Sequence, residues 1–81
     1  MRPYNLPDYT RDSLIRYVEH RIAPGGFLCA VLSNDLFGAL GKADESNSAA
    51  IVEICRFIYN ELPNGCWGSE ERVNSWLAGK E

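Results

Sequence analysis

The sequence predicts an all-α fold, a compact single-domain bundle of four to five short helices around a central helix at about residues 46–61. Three observations carry this. Apolar residues recur at three- and four-residue spacing in separate stretches. Pro24-Gly25-Gly26, Gly41 and Pro63-Asn64-Gly65 divide those stretches at helix-sized intervals. No segment alternates apolar and polar residues and then turns as a hairpin would. The chain has 81 residues, room for one helical domain spanning 1–81 with a thin core.

Residues 1–10, rich in proline and tyrosine, form an extended lead-in, and Asp8 or Thr10 is expected to cap the first helix. That helix covers about 11–21, with Leu14, Ile15, Val18 and Ile22 on its apolar face and Asp12, Arg16 and Glu19 opposite. Pro24-Gly25-Gly26 ends it. Phe27, Leu28, Val31 and Leu32 make a short second helix. Ser33 or Asn34 caps a third carrying Leu36, Phe37 and Leu40, with Asp35 in its first turn and Gly41 as a left-handed stop. A single kinked helix across 27–40 is the alternative.

Asp44, Ser46 and Asn47 offer caps for the fourth helix. Its apolar positions, Ile51, Val52, Ile54, Cys55, Phe57, Ile58, Tyr59 and Leu62, leave only the narrow polar stripe Glu53, Arg56 and Asn60. A helix apolar around most of its circumference is enclosed by others, so this one is expected to be central and most buried. Pro63 stops it. Ser69 caps a last helix with Glu70 and Glu71 in its first turn and Val73, Trp76 and Leu77 on its apolar side, ending near Gly79.

Composition limits function. The longest apolar run, Phe27 to Leu32, is far short of the ~20 residues that span a bilayer. Residues 1–10 hold no apolar block, so no secretory leader is expected, and Met1 is expected to open the complete chain. Cys29, Cys55 and Cys66, odd in number and widely spaced, argue against a disulfide framework. Cys29 and Cys55 are expected to be small buried hydrophobes, and a cytoplasmic location follows. Eight Lys and Arg face eleven Asp and Glu, a net charge of −3, with no basic run. Direct nucleic-acid binding needs such a run to neutralise phosphates. Residues 27–40, where a recognition helix would fall, contain neither Lys nor Arg.

The candidate chemistry is sparse. Cys66, in Gly65-Cys66-Trp67-Gly68-Ser69, precedes a helix N-terminus, a position that can lower a thiol pKa. His20 is the one imidazole able to serve it, and no third orienting residue is evident. The competing reading has Cys66 and Trp67 plugging the core, and His20 compensating the dipole at the end of its helix. No C-x-x-C and no paired histidines suggest a metal, and no cofactor is expected. Pro24-Gly25-Gly26 lacks the lysine and hydroxyl of a phosphate loop. Of the acidic residues at helix ends, Asp35, Asp44 and Glu45 are candidates for a contact face toward a basic partner, with Trp67 as an anchor.

A family likeness rests on Arg16-Tyr17-Val18-Glu19-His20, Pro24-Gly25-Gly26-Phe27-Leu28, Val31-Leu32-Ser33-Asn34-Asp35-Leu36, Ala43-Asp44, Ile58-Tyr59-Asn60 and Cys66-Trp67-Gly68-Ser69. Over about residues 16–76 the chain resembles a family of small proteins of tailed phages and prophages, from which no activity, substrate or binding residue carries over. The resemblance implies a phage-encoded accessory protein acting in a bacterial cytoplasm. The expected function is therefore non-enzymatic binding of a host or phage protein, with an anti-CRISPR-like inhibitor of host defence as its concrete form. The alternatives are a homo-oligomeric regulatory or structural phage component, and a cysteine-dependent enzyme using Cys66.

Overall fold

A computed structural model describes residues 4–79; positions 1–3 of the expected lead-in, and residues 80 and 81, lie outside the described residues. The all-α class holds: six α-helices and one 3-10 turn are present, with no strand among the described residues. No helix is long and apolar enough to cross a membrane among the described residues.

Helix α1, Asp8–His20, starts earlier than its apolar spacing suggests, and neither Asp8 nor Thr10 caps it. Pro7 stands at the cap, its carbonyl accepting from the Thr10 and Arg11 N–H groups. Thr10 faces inward, and the line Thr10, Leu14, Tyr17 is the buried face. Ile15 and Ile22, expected in the core, are exposed, while Val18 is partly buried. Tyr17 displaces them because its ring fills the core and its hydroxyl reaches a carbonyl partner there. Arg21 closes the helix in the left-handed region at φ 56°. Its guanidinium compensates: Nη1 donates to the Trp76 carbonyl at 2.7 Å, and the group lies 4.1 Å over the Trp76 ring.

Helix α2, Gly26–Leu32, is seven residues without a charge, and Phe27, Leu28, Ala30 and Leu32 are all buried. This helix takes the inner place expected for residues 46–61. Asn34, left-handed at φ 66°, turns the chain into α3, Leu36–Lys42. Asp35 is itself the cap, accepting from the Gly38 N–H at 3.1 Å, so neither Ser33 nor Asn34 caps α3. The helix runs through Gly41, which is no left-handed stop, and ends at extended Ala43.

The fourth expected helix is two. Helix α4, Glu45–Ala49, is capped by Asp44, and α5, Ile51–Glu61, follows a break at Ala50. Two hydrogen bonds hold α4 against α1. The Thr10 hydroxyl donates to Asn47 Oδ1 at 2.7 Å inside the fold, and the Tyr9 hydroxyl donates to Asp44 Oδ2 at 2.9 Å. Breaking the helix lets Asn47 dock there while α5 aims Ile54 and Ile58 at the core.

After Leu62 a 3-10 turn, Asn64–Cys66, leads to α6, Glu70–Leu77, capped by Ser69 as expected. Gly68 sits at φ 117°, and its N–H donates to the Leu32 carbonyl at 2.7 Å, pinning this loop to the end of α2. A side chain at position 68 would be strained by that φ and would crowd Arg72.

Candidate functional site

Helix α5 has three sides. Ile54 and Ile58 face the core. Glu53, Phe57 and Glu61 lie beneath the lead-in: the Asn5 N–H donates to Glu53, the Tyr4 ring stands edge-on to Phe57 at 5.4 Å, and the Tyr4 hydroxyl donates to Glu61. The third side, Val52, Cys55 and Tyr59 at i, i+3 and i+7, is open. The polar stripe Glu53, Arg56, Asn60 is therefore not the only wet side. Glu53 is partly covered, and the exposed side is largely apolar.

Helix α3 flanks this open side. One groove, about 260 Å³, is lined by Val31, Asn34, Cys55, Ile58, Tyr59 and Trp67, with Gly68 at its edge. A smaller hollow of about 70 Å³ continues it past Cys55 to Asp35, Leu36, Ala39 and Ile51. Leu36, Phe37, Leu40, Val52 and Tyr59 are 44–83 % exposed. Five large apolar residues this open, on two neighbouring helices, form a face; Tyr9, Ile15 and Ile22 are also exposed, on or just beyond α1.

The predicted site residues divide. Asp35 and Trp67 both line the groove system. Trp67 is half-buried against the core, its ring 5.8 Å from that of Tyr59, and its buried indole N–H has no hydrogen-bond partner among the described residues. Asp44 and Glu45 lie beyond the far end of α3, a seven-residue helix about 10 Å long. Asp44 is engaged there as a cap: the Asn47 N–H, and after it the Tyr9 hydroxyl, hold its carboxyl below the usual carboxylate range. Glu45 is exposed in the first turn of α4.

The cysteines are placed otherwise than expected. Cys66 is fully buried. Its thiol donates to the Pro63 carbonyl at 3.1 Å, and burial pushes it up to about 11. The helix-start position does not lower this thiol, because α6 begins only at Glu70 and desolvation is the larger effect. Cys29 is half-buried, donates to the Pro24 carbonyl and is raised by desolvation. Cys55, expected inside, is exposed, although partial burial beside the groove pushes its thiol upward. His20 is exposed at the end of α1. Among the described residues no group of three or more His, Cys, Asp or Glu side chains is placed to hold a metal ion.

A hollow of about 620 Å³ runs along Glu70, Glu71, Asn74, Ser75 and Ala78. One helix and the residue after it supply that lining, and among the described residues no second element closes it into a site.

The residues that sequence reasoning missed are Leu36, Phe37, Leu40, Val52, Cys55 and Tyr59. Their signal was present. Leu36, Phe37 and Leu40 lie together on a seven-residue helix, and Val52, Cys55 and Tyr59 keep helical register. No known family, curated protein or solved structure matches the chain.

Proposed function

We propose that this protein acts by stoichiometric association through the open face of α3 and α5, and is not an enzyme. The observation that carries this is the face itself: Leu36, Phe37, Leu40, Val52 and Tyr59, all substantially exposed in a domain small enough to need its apolar residues inside. The single candidate nucleophile supports the same reading, since a buried thiol raised to about 11 is protonated at neutral pH. The resemblance to small phage proteins supports a host or phage protein as the target, with inhibition of host defence as the concrete form. The acidic surplus, including Asp35 at the groove and Asp44 and Glu45 beyond it, supports a basic target surface and argues against direct nucleic-acid contact.

The test is affinity capture from a bacterial lysate with the parent chain and with Phe37→Asp. Phe37 is 83 % exposed, so the variant is expected to fold. A target protein retained by the parent and lost by the variant supports the reading. Equal retention by both removes the face from the account. Weaker capture at high salt is expected if acidic residues steer the encounter.

A further inference from the structure

We propose that the α3–α5 face is closed by a second copy of this chain, forming a two-fold dimer. The proposal rests on the association reading above: the second copy covers the face while no target is bound, and a target protein displaces it.

Area supports it first. An aromatic side chain carries about 150–250 Å², so Phe37 at 83 % and Tyr59 at 70 % exposure leave roughly 300 Å² open between them. With Leu36, Leu40 and Val52 the face reaches on the order of 500–600 Å², near the top of what a monomer leaves uncovered. It also supplies most of the ~800 Å² that each partner gives to a standard interface. The proposed dimer is at the small, dissociable end of that range.

Charge supports a second copy in particular. Going around α5 away from α3, the side chains come in the order Ile51, Cys55, Tyr59, Val52, Arg56. Asp35 stands on the α3 side of that stripe, and Arg56, its side chain 62 % exposed and 4.0 Å from Glu53 one turn away, stands on the other. Between them lie apolar side chains and no charge. A two-fold axis near Cys55 would bring Asp35 of each copy to Arg56 of the other, while keeping like charges off the axis. Self-complementarity of this kind is what an isologous interface requires. An uncharged centre also lets two chains of net charge −3 approach without like charges facing each other.

The experiment is sedimentation velocity of the purified full chain over a series from micromolar to near-millimolar concentration. Parent, Phe37→Asp, Tyr59→Asp and Arg56→Glu are compared, with helicity measured for each. The parent is expected to pass from monomer to dimer. Both aspartate variants are expected to stay monomeric at parental helicity. Arg56→Glu, which would set an acid against Asp35 of the second copy, is expected to weaken the dimer by about fivefold or more. A parent that stays monomeric throughout overturns the proposal, as does a dimer that survives both aspartate substitutions. Undiminished dimerisation of Arg56→Glu overturns the two-fold arrangement. A monomeric parent whose lysate target is still lost with Phe37→Asp refutes the second copy and leaves the association reading standing.

Discussion

The Tyr17 hydroxyl donates to the Cys66 carbonyl oxygen across 2.7 Å, with both residues fully buried. The same tyrosine accepts from α6, since Trp76 Nε1 donates to the Tyr17 carbonyl at 2.9 Å. One residue of α1 thus fixes both the turn before Trp67 and the helix after it. The Trp67 end of the groove depends on that fixture.

Tyr17→Phe tests it. The ring is kept and the Cys66 carbonyl loses this donor, at a cost of about 1–3 kcal/mol. For a domain of this size that corresponds to a melting temperature lower by at least about 4 °C. Parallel thermal melts read it directly, and a variant melting with the parent would show that the bond contributes nothing net.

Thiol reactivity separates the three cysteines. Cys55 is expected to react first with a water-soluble disulfide reagent, because it is exposed. Cys66 is expected to react only as the protein unfolds, being buried and raised to about 11. Mass mapping of the modified chain over time gives the order. Labelling of Cys66 ahead of Cys55 under native conditions would contradict the burial and return Cys66 to consideration as a nucleophile.

Asp44 sets part of the acid response. Its carboxyl is held below its ordinary value, so the ionised form favours the folded state. That contribution is fully present above the unfolded pKa and is lost as pH falls through the lowered folded value. Asparagine caps a helix as well as aspartate but does not titrate. Asp44→Asn is therefore expected to make the melting temperature fall less steeply with acid than in the parent. Identical slopes would show that Asp44 is not among the linked groups.

The helix class and a few boundaries were legible in the sequence because they depend on local chemistry. Asp44, Pro63 and Ser69 act within a turn of where they stand, whereas α1 already ends at Arg21, before Pro24-Gly25-Gly26. Faces were less legible, because they depend on what arrives from elsewhere. Glu53 reads as wet until the lead-in is seen to cross it, and Val52, Cys55 and Tyr59 read as core until α2 takes the inner place. Thr10 reads as a cap, yet Asn47, 37 positions away, claims its hydroxyl. Of the site, Asp35 and Trp67 could be named from the sequence as polar and aromatic residues near helix ends. The apolar face between them required knowing that α3 borders the Ile51–Cys55 side of α5 and that, among the described residues, no other element covers Val52, Cys55 and Tyr59.

The most direct measurement of the central claim, that the α3–α5 face is the surface through which this protein associates, is a dilution series of the isotope-labelled chain followed by amide resonances. Concentration-dependent shifts are expected at Leu36, Phe37, Leu40, Val52, Cys55 and Tyr59, with Glu70, Glu71 and Asn74 on α6 unmoved. Shifts confined to α6, or none at any concentration together with none on adding a captured target, would contradict it.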